Sequence, residues 1–290
     1  MRAAPVPVFR TIDLEQLAES DPCEDTIRLG SFWPGRDDFE SRLVKAFKEC
    51  YPAARFDPHI TRICRFYSGL ICSRVRHLKI DWVARVLSSA ELRPDPSRPQ
   101  SLLLKTLCAE IGARDATSVF FKSESRPPMR AVDALSGRSA LTTRLRYVSQ
   151  DLFVTSANLG GRVLLVDDIA NTSASARVYA GALREFAGAD SVLVVNLAAT
   201  RYLGGKDGLG MLRLQTNGLQ DEPFLAERLL DSQGTYHLRD DCTSTDGKTT
   251  RKFAFQVEGR AAACASCAAE SVEKESLLRR LLNWASSVGR

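Results

Sequence analysis

The chain has 290 residues and a mass of 32.0 kDa, enough for one large domain or two modest ones. Its 44% hydrophobic and 26% charged residues, with 18 Gly and 12 Pro, exclude collagen-like, mucin-like and wholly disordered classes. No apolar run approaches the roughly 18 residues of a membrane span. The charge balance, 40 Lys and Arg against 35 Asp and Glu, gives +5 and a pI of about 8.8. That tilt is too weak to make nucleic acid the default partner, and it suits an anionic small molecule equally well.

The stretch MRAAPVPVFRTIDLEQ lacks the apolar region of a secretory signal, so a cytoplasmic location is expected. In a reducing compartment the eight cysteines, Cys23, Cys50, Cys64, Cys72, Cys108, Cys242, Cys264 and Cys267, read mostly as buried thiols. No period of about 20 to 50 residues recurs, which argues against a solenoid or propeller.

Residues 37–50 (DDFESRLVKAFKEC) carry Phe39, Leu43, Val44 and Phe47 at helical spacing behind an acidic start. Residues 82–92 and 102–111 read the same way, which predicts a mainly helical region over 1–115. Prolines 94, 96 and 99 mark a stiff turn between them. From residue 116 the pattern changes. Residues 117–121 (TSVFF), 162–166 (RVLLV) and 191–197 (SVLVVNL) read as buried strands, and 175–187 as a helix with Gly188 at its end. Strand, helix, strand at this spacing predicts a parallel sheet covered by helices over 116–202. A third region, 203–290, begins turn-rich (LGGKDGLG, 203–210), has a loosely alternating stretch at 248–257 and ends in an apolar stripe at 272–285. The expected class is therefore α/β, with a helical amino-terminal extension and a small carboxyl-terminal one.

The chemistry concentrates in GRVLLVDDIANTSASARVYAGAL, residues 161–183. Asp167 and Asp168 follow a buried strand, and adjacent carboxylates are costly unless a cation or a polyhydroxyl ligand compensates them. Asn171, Thr172, Ser173 and Ser175 then offer donors at a helix amino terminus, whose free N–H groups and dipole favour an anion. Acids for hydroxyls beside a cradle for phosphate suit a sugar phosphate. Strand-end acids and small polar caps also occur as plain structure, but the whole pattern is more specific than either part.

VLLVDDIANTSAS resembles the phosphoribosyl pyrophosphate (PRPP) binding signature of type I phosphoribosyltransferases, most closely the ComF-like and amidophosphoribosyltransferase-like branches. The resemblance covers residues 116–201. It implies a parallel sheet of phosphoribosyltransferase type, with Asp167 and Asp168 on the ribose hydroxyls and Asn171, Thr172, Ser173, Ala174 and Ser175 around the 5-phosphate. It further implies Mg²⁺ bound with PRPP, a nitrogen acceptor, and pyrophosphate release. Asn171 stands where the family usually has Thr, and Ser173 where it has Gly. The donors are kept, but a Cβ at the glycine position raises strain.

The family's pyrophosphate loop, after the first core strand, would fall on residues 122–126 (KSESR) with Lys122 and Arg126. A closing flap would fall on the segment holding Arg138, Arg144 and Arg146, and Arg201 ends the third strand. Solvated loops are the competing reading for these cations. Alternatives from other classes are a non-catalytic PRPP or nucleotide sensor or assembly component on the same fold, and a nucleic-acid module. Oligomers are compatible with either enzyme or sensor.

Finally, His237, Cys242, Cys264 and Cys267 form an H-x4-C-x21-C-x2-C pattern, four N/S ligands suited to tetrahedral structural zinc. The Ala-rich context ACASCAAE suits ordinary thiols as well.

Overall fold

The computed structural model describes residues 5–129, 141–155, 157–201, 214–238, 242 and 248–269. Contacts divide the chain into two units, Met1–Gln215 and Thr216–Arg290.

In chain order, the first unit contains β1 (Pro5–Pro7), α1 (Val8–Thr11), α2 (Leu14–Glu19), β2 (Asp25–Arg28), β3 (Ser31–Phe32), α3 (Phe39–Glu49) and α4 (His59–Val75). These are followed by β4 (Trp82–Arg85), α5 (Pro99–Ile111), β5 (Arg114–Asp115), β6 (Phe120–Lys122), α6 (Leu141–Ser149), β7 (Leu152–Thr155), β8 (Arg162–Ala170), α7 (Ala174–Glu185) and β9 (Ser191–Thr200). The main sheet runs β2-β9-β8-β4-β5, with β3 also pairing β9, and every neighbouring pair is parallel. Strands from residues 1–115 and from 116–202 thus lie side by side in one sheet. A second sheet, β1-β7-β6, is antiparallel.

The main sheet is covered on both faces, which is why its central strands are apolar without alternation. Val163 and Leu165 of β8 and Val192 and Val194 of β9 share a core with Val178, Tyr179 and Leu183 of α7, with α1 and α2, and with Phe120 and Val154 of the antiparallel sheet. The Phe120 and Tyr179 rings sit 4.6 Å apart. Helix α3 packs on the opposite side of β8 and β9, α5 packs on β4, and α4 packs on α5. Mixed α/β architecture with a parallel sheet is as the sequence predicts.

Helices α3, α5 and α7 fall where their periodicity places them. Gly188 lies three residues past α7 with φ +72°, and a Cβ there would come 3.2 Å from the Ala157 carbonyl oxygen. Two expectations need correction. Residues 82–92 do not form a helix: Trp82–Arg85 is β4, in the middle of the sheet. A strand buried on both faces has no alternation to distinguish it from a short helix. Residues 117–121 are not the first core strand either. Thr117–Val119 is a 3-10 turn, and β6 belongs to the antiparallel sheet, where Phe121 stacks on Phe153 at 5.2 Å. The proline-rich stretch is an excursion between β4 and α5 within one unit, with Pro99 opening α5.

In the second unit, β10 (Glu227–Leu230), β11 (Thr235–His237), β12 (Thr250–Phe253) and β13 (Ala262–Ala263) form a sheet of order β12-β10-β11-β13, with the short helix α8 (Ala254–Val257) directly after β12. The β11–β13 pair is parallel and the others antiparallel. The strand read over 248–257 is confined to Thr250–Phe253. Residues 203–210 and 272–285 lie outside the described residues.

Candidate active site

The carboxyl ends of the parallel strands β4, β8 and β9 form one edge of the sheet, where ligands of such folds bind. Both acids lie within the last four residues of β8. Successive side chains of a strand point to opposite faces, so Asp167 shares the face of Val163 and Leu165, on the α7 side. Asp168 is on the other face, where α3 and α5 meet it: Lys48 Nζ lies 2.7 Å from Asp168 Oδ2, and Gln100 Nε2 donates to the same oxygen at 3.4 Å. The backbone N–H of Asp168 donates to Asp167 Oδ1 at 2.9 Å, which locks the first carboxylate against its own strand.

The two acids experience different environments. Burial and the adjacent Asp168 charge push the Asp167 carboxyl up to about 7, against a smaller downward pull from Lys48 and the Asp168 N–H. Opposite Asp167 in register stands Asn196 of β9, fully buried, with neither side-chain polar atom hydrogen-bonded among the described residues. A buried amide without partners is costly, and this one stands beside Asp167 at the strand ends.

The loop from Asn171 to Ser173 joins β8 to α7, with Asn171 and Thr172 exposed. Ser173 adopts φ 58° and ψ 15°, the left-handed region that glycine favours, and its side chain makes no cap bond to α7. The strained backbone thus falls at the position where the signature it resembles usually has Gly. The first turn of α7 is left without side-chain capping by Ser173, and Ala174 is buried at its start with Ser175 half-buried behind it. Asn171 through Ser175 therefore presents hydroxyls, an amide and a helix amino terminus next to the acids.

The loop after β4 is braced by a buried ion pair. Arg85 Nη1 donates to Glu91 Oε2 at 2.9 Å while Arg85 Nη2 contacts Glu91 Oε1, and both residues are under 5% exposed. Glu91 also accepts from the backbone N–H groups of Ser88 at 3.0 Å and Asp95 at 2.7 Å. Burial pulls the Glu91 carboxyl up, but its bonds and the Arg85 charge hold it below its ordinary value.

Lys122 and Arg126 pack against this loop rather than following a parallel strand. Lys122 N donates to the Leu92 carbonyl at 2.8 Å, its Nζ donates to the Ser88 carbonyl at 3.0 Å, and Arg126 N donates to the Ser89 carbonyl at 3.1 Å. Burial lowers the Lys122 amine from its ordinary value. Arg126 is engaged by Glu124 at 2.6 Å, Gln150 at 2.6 Å and Asp151 at 3.6 Å. Of the expected flap cations, Arg144 is buried in α6 with Nη1 3.8 Å from Met129 Sδ, Arg146 is exposed, and Arg138 lies outside the described residues. Arg201 N donates to the Phe32 carbonyl at 2.8 Å, just past the end of β9.

Lys48, Gln100 and Asn196 were not anticipated from the sequence. Asn196 alone left a signal, a polar residue inside SVLVVNL.

No family model matches the chain. No curated protein sequence matches it. Among solved structures, it is similar to adenine phosphoribosyltransferase from Saccharomyces cerevisiae complexed with D-2,5-dideoxy-2,5-imino-altritol 1,6-bisphosphate and adenine. That likeness has 16% identity and a TM-score of 0.30, and covers 49% of this chain and 68% of the other. A second adenine phosphoribosyltransferase is similar at 16% identity with a TM-score of 0.28, over 49% of this chain and 78% of the other.

In the second unit the four residues of the H-x4-C-x21-C-x2-C pattern come together. The ligand atoms of His237, Cys242, Cys264 and Cys267 all lie within 4.8 Å of one another.

Proposed function

We propose that the chain binds PRPP at the carboxyl edge of its parallel sheet and transfers the phosphoribosyl group to a nitrogen acceptor, releasing pyrophosphate. The observation that carries this reading is the Asp167–Asp168 pair at the end of β8, followed directly by a polar loop and the amino terminus of α7. The sequence VLLVDDIANTSAS resembles the corresponding signature of the ComF-like and amidophosphoribosyltransferase-like branches.

In this reading Asp167 and Asp168 accept hydrogen bonds from the ribose hydroxyls, and Asn171, Thr172, Ser173, Ala174 and Ser175 hold the 5-phosphate. During transfer the C1–O bond to pyrophosphate breaks, its electron pair leaving on oxygen. The acceptor nitrogen supplies the new bond to C1 and gives up a proton. The ring gains positive character, which fixed carboxylates offset. Lys122 and Arg126, lying along the loop after β4, are the proposed cations toward the departing diphosphate. Magnesium fits the donor set, because hard carboxylate oxygens suit it and a cation there would offset the burial and the adjacent Asp168 charge that lift the Asp167 carboxyl. Asp167 and Asp168 are the residues that would hold it, and when bound it would supply charge neutralisation to the leaving group.

A second reading, a sensor that binds PRPP without turning it over, is favoured by the left-handed Ser173 and by the amine already seated on Asp168. We place the protein in the cytoplasm, a reducing compartment that suits eight cysteines none of which is in a disulfide. No helix of the described residues is long and apolar enough to cross a membrane.

Calorimetry with Mg-PRPP, paired with pyrophosphate release over a panel of nucleobases and amines, tests the reading. Binding with release supports the transferase, and binding without release the sensor. Absence of binding, with Asp167→Asn and Asp168→Asn indistinguishable from wild type, overturns both.

A further inference from the structure

We propose that His237, Cys242, Cys264 and Cys267 hold one structural zinc ion that closes the second unit. This site is independent of the PRPP reading.

The distances argue for a shared ion. His237 Nδ1 lies 3.3 Å from Cys242 Sγ, and Cys242 Sγ lies 3.7 Å from Cys264 Sγ. A tetrahedral centre with zinc–sulfur bonds of about 2.3 Å and zinc–nitrogen bonds of about 2.0 Å has sulfur–sulfur edges of about 3.8 Å and nitrogen–sulfur edges of about 3.5 Å. A disulfide would bring two sulfurs to about 2.05 Å. The separations of 3.3 and 3.7 Å are close to two of those edges, and all four ligand atoms lie within 4.8 Å of one another. Three thiol sulfurs and an imidazole select zinc over the oxygen-seeking magnesium and calcium.

The surroundings support the same assignment. His237 Nε2 lies 3.1 Å from Asp231 Oδ2, with both residues buried. A carboxylate there accepts a hydrogen bond from Nε2–H, which fixes the tautomer with the Nδ1 lone pair facing the sulfurs, the carboxylate–histidine arrangement that orients metal-bound imidazoles. Asp231 is itself fixed, because the backbone N–H groups of Gln233 and Thr235 both donate to its Oδ1 at 2.9 Å. His237 ends β11, Cys242 follows it, and Cys264 comes directly after β13, where its N–H donates to the Tyr236 carbonyl at 2.9 Å. One ion would therefore tie the β10–β11 hairpin to β13 and to the helical residues 265–269 that carry Cys267. Four protein ligands leave no open coordination position, so the role is structural.

Full-length protein, purified in zinc-containing buffer without chelator, tests this by elemental analysis, cobalt substitution and thiol alkylation. The expected results are one zinc per chain, a thiolate-to-cobalt charge-transfer band with tetrahedral d–d absorption, and alkylation of Cys242, Cys264 and Cys267 only after chelation. Because Cys267→Ser can fail by unfolding, Asp231→Asn provides the second arm. It should keep full zinc occupancy at saturation while losing about 10- to 100-fold in affinity against a chromogenic chelator. Protein without zinc, lacking the cobalt band and with the three thiols alkylating equally fast with and without zinc, overturns the site. Unchanged zinc affinity in Asp231→Asn overturns the orienting role of Asp231.

Discussion

Lys48 Nζ sits 2.7 Å from Asp168 Oδ2, so a helix more than a hundred residues upstream supplies the counter-charge for the second acid of the pair. The Lys48 side chain is 45% exposed and that of Asp168 15% exposed, so the pair contributes under about 1 kcal/mol to folding. Its larger effect is on ligand binding. Lys48→Gln should make PRPP binding more dependent on magnesium, with the ratio of affinities at saturating and zero Mg²⁺ rising about tenfold, roughly 1.4 kcal/mol. Paired calorimetric titrations read that ratio. An unchanged ratio would show that the amine is not a surrogate cation at this site.

Asp167 makes both stability and binding depend on pH. Its folded-state value, about 7, is above the ordinary 3.8, so between these limits the folded protein holds a proton that the unfolded chain has released. The resulting stabilisation is complete below about pH 4 and is lost as pH rises through about 7. Asp167→Asn should therefore flatten the stability profile and unfold about 1 to 3 kcal/mol harder than wild type at pH 8, with little difference at pH 4. PRPP affinity in the wild type should rise from pH 6 to pH 8 as the carboxylate forms, and that rise should vanish in the variant. Thermal melts at both pH values, with matching titrations, give the comparison; a variant less stable than wild type at pH 8 refutes it.

Ser173 carries its side chain at φ 58°. Replacing it with glycine removes the Cβ that crowds the left-handed backbone, and Ser173→Gly should stabilise the protein by about 1 kcal/mol. PRPP affinity should rise or stay level. Urea unfolding measures the first effect and calorimetry the second. A collapse in affinity with stability unchanged would make the Ser173 hydroxyl a required contact.

The Arg85–Glu91 pair braces the loop after β4 from inside. Glu91→Ala would strand a buried guanidinium and leave the N–H groups of Ser88 and Asp95 without their carboxylate, costing about 3 to 5 kcal/mol in urea unfolding. Glu91→Gln keeps the acceptor oxygen and should cost less. Equal losses in the two variants would show that the charge, not the hydrogen bonding, maintains the loop.

How much of this was readable from residues alone depended on where each signal resides. RVLLV and SVLVVNL are dense β-branched runs bounded by turn residues, and the strand, acid pair and polar loop are contiguous, so that part of the site was legible. Trp82–Arg85 was misread because a strand covered on both faces loses its period-two alternation. Lys48 and Gln100 were invisible, since ordinary polar residues on α3 and α5 gain significance only when folding brings them to β8. Helix α4 was missed although Ile60, Ile63, Tyr67 and Ile71 form a regular stripe, because Cys64 and Ser68 share the buried face and dilute it. The His–Cys set could be read from spacing, but Asp231, which orients His237, carries no motif.

The pairing of β2 with β9 joins residues 25–28 to residues 193–196. During synthesis β2 emerges long before β9, the strand it pairs with, and its backbone donors and acceptors must wait for more than 160 further residues. A chain interrupted between β8 and β9 leaves β2 and the Leu- and Val-rich flank of β8 without the strand that pairs them, and such edges are templates for intermolecular pairing. Carboxyl-terminal truncations that remove β9 should therefore yield insoluble aggregate rather than a smaller folded domain.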